Sequence, residues 1–242
     1  MPRTTRTSFG GALHHVMTRC NHQERLFSKT DLQDCCAILL ETKQRFPIRL
    51  FAYAFLSNHY HLLIQEEASG TLGEAMHWFN GTVACRYNIR HGTRGHLWQG
   101  RFKNRCIQSE LYFIQCMIYI DLNPARAGLS PQVTNWPFSS ARAHAEGIRD
   151  PLLDSSPIES TSYKQRILTE WDRTQQLQHI LQDGDREATR SWLKQASSRI
   201  FIPFSKEISL LVGSNFRRYI SPSTEPENQS AKHLFPGLYE SA

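Results

Sequence analysis

The chain has 242 residues, 28 Lys and Arg against 22 Asp and Glu for a net charge of +6, and 40% hydrophobic residues. This composition excludes a globally disordered chain and suits one large domain, or one ordinary domain with an appendage; the basic tilt favours a polyanionic partner such as nucleic acid. The opening MPRTTRTSFG lacks an apolar signal core, the apolar runs are too short to span a bilayer, and the six cysteines form no C-x-x-C pair, so the expectation is a protein of the reducing cytoplasm without a membrane partner or a local zinc site.

Residues 1–10 are basic and rich in Thr and Ser, which reads as a loose arm carrying Arg3 and Arg6. ALHHVMTR, residues 12–19, can form a first strand. Thr30 followed by Gln33 reads as a capping box. It opens a helix with Leu32, Cys35, Cys36 and Leu39 on one face, and Pro47 ends it. IRLFAYAFL, residues 48–56, is apolar apart from Arg49 and reads as a buried strand. Ser57-Asn58 is a turn signal, and HYHLLIQ, residues 59–65, is its hairpin partner. A second helix runs from Thr71 to about Arg90. Residues 101–108 form a fourth strand candidate. Ser109 caps a third helix, with Leu111, Ile114, Ile118 and Leu122 at helical spacing, and Pro124 ends it.

This order predicts an α+β fold, a ferredoxin-like antiparallel sheet with helices packed on it, followed by a mainly helical C-terminal extension. The texture changes after about residue 147. Residues 1–147 are expected to form the first domain, and 148–242 a linker, a helical extension and a mobile tail. Helix is expected over 161–218, with Ile167, Trp171, Leu177 and Leu181 among its apolar positions, and SPSTEPENQSAK is polar enough to be mobile.

Two elements can carry chemistry. On a strand, His59 and His61 project to one side, and two imidazoles so spaced can chelate a metal ion. Alone the pattern is weak, since eleven histidines give about 0.5 such pairs by chance. On a helix, Tyr119 and Asn123 lie four apart and share a face. Two imidazoles and an amide oxygen would leave positions open on a divalent ion for a phosphate oxygen, with a phenol beside it to attack phosphorus. Tyr60, between the histidines, should face the other side of the sheet. For nucleic-acid contact, Arg101, Lys103 and Arg105 alternate along one strand face, and Arg86 and Arg90 lie along the second helix.

The run Ala54-Phe55-Leu56-Ser57-Asn58-His59-Tyr60-His61-Leu62-Leu63-Ile64 resembles the metal-binding strand of the single-tyrosine HUH transposases. Tyr119 to Leu129 resembles the nucleophile helix of their REP-associated branch, and Leu97-Trp98-Gln99-Gly100-Arg101-Phe102 and Trp136-Pro137-Phe138-Ser139-Ser140 are similar to that branch too. The resemblance covers about residues 9–145. It implies a transposase that nicks and transfers single-stranded or hairpin DNA, with Tyr119 forming a 5′-phosphotyrosine and freeing a 3′-OH. It also implies Mg²⁺ or Mn²⁺ held by His59, His61 and Asn123. Monomer and homodimer both stay open. Two rival readings are a catalytically silent nucleic-acid-binding regulator and a phosphodiesterase that uses water.

Overall fold

In the computed structural model, which describes residues 8–21, 26–156 and 160–195, the two apolar runs around Ser57-Asn58 become neighbouring strands. β2 (Ile48–Phe55) and β3 (His59–Glu66) form an antiparallel hairpin. β1 (Leu13–Arg19) pairs with the other side of β3, and short β4 (Lys103–Cys106) pairs with β1. The order β2-β3-β1-β4, antiparallel throughout, is the ferredoxin-like sheet expected from the element order. β4 is shorter than the 101–108 expected, because its ladder reaches only from His14 to Met17 of β1.

Side chains on successive strand residues point to opposite faces, and here both faces are covered. On one side α1 (Lys29–Arg45) and α2 (Thr71–His91) pack on Val16, Tyr60, Leu62 and Ile64. On the other side α3 (Glu110–Arg126) buries Phe113, Met117 and Ile120 against Leu13, Phe51 and Leu63. Leu111, expected on the buried stripe of α3, is 47% exposed.

Two helix ends differ from expectation. Ser28, not Thr30, caps α1: its hydroxyl accepts from the Asp31 amide while the Asp31 carboxylate accepts from the Ser28 amide. Asp31 fills the role expected of Gln33, and its pairing with Arg90 fixes the box two residues earlier. Pro124 does not end α3. The helix has only two residues left to run, so the proline forfeits one amide donor, and burial of Leu122, Pro124 and Ala125 holds the last turn. Asn123 therefore stays helical.

The chain beyond α3 covers the free edge of β2, where unpaired strand groups would otherwise invite association. Phe55 N donates to Phe138 O and Ser140 N to Tyr53 O, both at 2.9 Å. Farther along, Leu50 N donates to the Asp154 carboxylate at 2.7 Å. The W-P-F-S-S motif is thus an edge cover, with the Trp136 indole donating to Phe55 O. α4 (Ala141–Glu146), α5 (Ser160–Gln182) and α6 (Arg186–Gln195) follow. Tyr163 and Ile167 of α5 enter the core beneath α3, and Trp171 packs against it. The arm with Arg3 and Arg6, the helix expected over 196–218 and the polar tail lie outside the described residues.

Asp121 of α3 is fully buried and gathers three partners. It accepts from Ser140 Oγ at 2.5 Å, from His144 Nδ1 of α4 at 2.7 Å and from Tyr163 Oη of α5 at 2.8 Å. Burial alone would lower the His144 pKa, but the Asp121 charge and hydrogen bond outweigh it and raise the value. Removing one partner of a buried ion pair costs about 3–5 kcal/mol. Asp121→Ala should lose about that much unfolding free energy in urea titrations. Because the folded His144 value is raised, the pair's contribution is complete below about pH 6.5, the unfolded value, and is lost as pH rises through the higher folded value. The gap between wild type and Asp121→Ala should therefore narrow toward alkaline pH.

Candidate active site

Strand alternation sends His59 and His61 toward α3, the face opposite Tyr60. Tyr60 is fully buried beneath α2, where its hydroxyl accepts from Thr18 and donates to Asn80, both at 2.9 Å. It has no path to the imidazoles.

Four rings meet on the α3 face. The His59 and His61 rings lie 5.2 Å apart, centre to centre. Tyr119 of α3, half-buried, stands edge-on to His61 at 5.3 Å. The fourth ring, missed in the sequence reading, is His15 of β1, at 5.1 Å from His61 and 5.7 Å from Tyr119. Residues 15, 59, 61 and 119 converge because β1 flanks β3 and α3 crosses their common face. Asn123 sits one turn beyond Tyr119, its side-chain amide donating to Tyr119 O at 3.3 Å, which leaves Oδ1 free of that bond.

Hydrogen bonds orient the imidazoles. His59 Nδ1 donates to Asn58 Oδ1 at 2.7 Å, which leaves Nε2 with its lone pair. His61 Nδ1 faces His15 Nε2 at 2.9 Å, so His61 too presents Nε2 outward from that contact. Burial, helped by Arg105, lowers the His15 pKa to about 4. Burial with Arg19 lowers His59 to about 4, and burial, with the neighbouring imidazoles and Arg19, takes His61 well below its ordinary value. All three rings are thus neutral at pH 7, the form that binds metal. No group of three or more His, Cys, Asp or Glu side chains stands where it could hold a metal ion among the described residues. His59 and His61 offer two neutral imidazoles on one face, and Asn123 carries an amide oxygen one turn beyond Tyr119, donor types that suit a divalent ion, while His15 is engaged by His61.

The candidate nucleic-acid residues divide into two groups. Lys103 and Arg105 lie on β4 opposite Met17 and His15 and share the imidazole face, with Arg101 in the exposed bend just before them. Arg19, also missed, is exposed opposite His59 in the β1–β3 register. Arg86 and Arg90 are on the far side of the sheet, in ion pairs between helices: Arg86 with Asp34, and Arg90 with Asp31 and Asp34.

Residues 9–123 match the family model described as IS200-like transposase. No curated protein matches the chain. A solved REP-associated tyrosine transposase bound to a REP hairpin is similar in fold, with a TM-score of 0.53, 19% identity, and coverage of 66% of this chain and 94% of that one. A candidate transposase from Deinococcus radiodurans R1 matches with a TM-score of 0.36, 16% identity, and coverage of 50% and 95%.

The lowered imidazole values have a thermodynamic consequence. Unfolded, these rings take up a proton near pH 6.5; folded, His15 and His59 do so only near 4. Their contribution to stability is present above about 6.5 and is lost as pH falls toward 4. Urea unfolding across this window should show wild type losing stability faster than His15→Phe, by on the order of 2 kcal/mol at the acid end.

Proposed function

We propose that this chain, whose residues 9–123 match the IS200-like transposase family, cuts and rejoins single-stranded DNA through a covalent bond to Tyr119. One observation carries the reading. A phenol on a helix and two imidazoles on a strand, some sixty residues apart in sequence, converge with ring centres 5.3 Å apart at the nearest pair. A mere core tyrosine needs no such company.

The reaction divides among the chain's own residues. Tyr119 Oη attacks a backbone phosphorus, and the Oη–P bond forms as the P–O3′ bond breaks. The electron pair leaves with the 3′-oxygen, which takes up a proton as the phenol gives one up to water. The products are a 5′-phosphotyrosine and a free 3′-OH, and the phosphodiester energy is kept for rejoining. A phenol of ordinary pKa near 10 is a poor nucleophile at pH 7. His59, His61 and Asn123 would hold Mg²⁺ or Mn²⁺, which supplies Lewis-acid neutralisation of the phosphate. Asn58 and His15 fix the two imidazole orientations. Buried neutral rings and the sheet beneath keep this arrangement rigid.

The DNA would lie across the α3 face. Arg19, Lys103 and Arg105 line that face, and Arg101 adjoins it, so their cations can follow a phosphate backbone. Arg86 and Arg90 would add positive charge from the far side of the sheet, tempered by Asp31 and Asp34. The fold relative that binds a REP hairpin supports a short palindromic hairpin as the substrate class.

Two outcomes test this. On a denaturing gel with end-labelled hairpin DNA and Mn²⁺, Tyr119→Phe should bind the hairpin as wild type does but cut none of it; cutting by the variant would remove Tyr119 from the role. His59→Ala and His61→Ala should each weaken Mn²⁺ binding at least tenfold by electron paramagnetic resonance titration, on the order of the loss expected for a metal ligand. Unchanged Mn²⁺ affinity would remove them from the ligand set.

A further inference from the structure

Arg126 ends α3 two turns beyond Tyr119 and lies outside the family match at 9–123. Its Cζ is 5.9 Å from the centre of the Tyr119 ring. Its Nε and Nη1 are shut off from solvent and have no hydrogen-bond partner among the described residues. Its single side-chain hydrogen bond there runs from Nη2 to Thr174 Oγ1 of α5, at 3.3 Å. Thr174 is itself buried, and its hydroxyl donates to Glu170 O at 2.7 Å. Burial pulls the guanidinium down to about 10, so it stays charged at neutral pH.

A buried cation with two unsatisfied donors costs stability. A core built only for stability would use an apolar residue there. The charge faces the one residue whose chemistry develops negative charge.

We propose that Arg126 is a positioning residue of the nuclease site, a fixed positive charge that the C-terminal helix α5 holds against Tyr119. The inference rests on Tyr119 as nucleophile. As the Oη–P bond forms and the P–O3′ bond breaks, negative charge spreads over the phosphoryl oxygens and the phenol oxygen. A cation already in place, in a setting poor in water, favours that charge without reorganising. On rejoining, Oη–P breaks, the phenol oxygen departs with the electron pair, and the same charge favours its leaving. α5 thereby becomes part of the catalytic apparatus, not only a brace beneath α3. With the guanidinium 5.9 Å from the ring centre, a charge developing on the phenol oxygen at about 6–9 Å, in an effective dielectric near 20, corresponds to about 30-fold in rate.

The experiment uses the full chain with a labelled hairpin and Mn²⁺, and compares wild type with Arg126→Met, Arg126→Lys and Thr174→Val. The rate of covalent adduct formation is read beside hairpin affinity, Mn²⁺ affinity and melting temperature. Arg126→Met should slow the adduct about 30-fold, keep both affinities within about twofold, and melt at or above the wild-type temperature, because a desolvated charge with two unsatisfied donors, only partly offset by Glu170, is gone. Arg126→Lys should recover the rate to within about fivefold, and Thr174→Val should slow it several-fold with Arg126 intact. An Arg126→Met protein at the wild-type rate, or a lysine variant as slow as the methionine one, overturns the proposal. A melting temperature that falls in step with the rate overturns it too, since that is what a structural brace predicts. If Arg126→Met does not fold, the lysine and Thr174→Val proteins decide on the same terms. A wild type that binds hairpin but forms no adduct overturns the reading of Tyr119 itself, and this inference with it.

Discussion

A single buried carboxylate fixes the helix that carries the proposed nucleophile. Asp121 lies two residues beyond Tyr119 and turns to the opposite side of α3, into the core. There it accepts hydrogen bonds from Ser140, His144 and Tyr163, and so ties α3 to the β2 edge cover, to α4 and to α5. Packing alone leaves a helix free to slide or roll by fractions of an ångström. Three directed bonds to one charged group do not, and each is short. The rotation of α3 sets where Tyr119 points, so in the proposed reaction a network with no chemical part of its own decides whether the phenol can reach phosphorus. A buried charge is a poor device for stability and a good one for uniqueness of arrangement.

The sheet supplies the second constraint. Strand alternation splits HYHLL into two faces: Tyr60 and Leu62 go beneath α1 and α2, while His59 and His61 go beneath α3. Burial then keeps the imidazoles neutral, and the His59 bond to Asn58 Oδ1 and the His61 contact with His15 set which nitrogens keep a lone pair. The same burial that would penalise a charged side chain here keeps these imidazoles in the neutral form that a metal ion requires. The exposed cations of β1 and β4 adjoin this patch, so in the proposed function long-range attraction and short-range chemistry would occupy adjacent parts of one face.

Much of this was legible in the sequence, and the gaps have physical reasons. The hairpin, the two-faced H-Y-H and the i,i+4 relation of Tyr119 and Asn123 follow from local periodicity, which needs no tertiary knowledge. His15 was hidden because its role depends on which strand lies next to β3; the odd positions of HHVMTR, read with the sheet order, would have exposed it. Arg86 and Arg90 look like free cations in sequence, but their partners Asp31 and Asp34 lie more than fifty residues away on α1. Pro124 carries a strong local signal for a helix end, yet burial of the final turn overrides it. The W-P-F-S-S segment has no regular period, because it follows the edge of β2 rather than forming an element of its own. Arg126 and Thr174 meet only because α5 folds back onto α3, a contact no local pattern encodes.

The central claim is that a phosphorus–oxygen bond forms at Tyr119 and nowhere else. Peptide mass mapping after incubation with hairpin DNA and Mn²⁺, followed by nuclease trimming, reads this directly. The account predicts one modified peptide, carrying a nucleotide on Tyr119. A nucleotide on Tyr60, Tyr112 or any other residue, or cleaved DNA with no modified peptide at all, would contradict it.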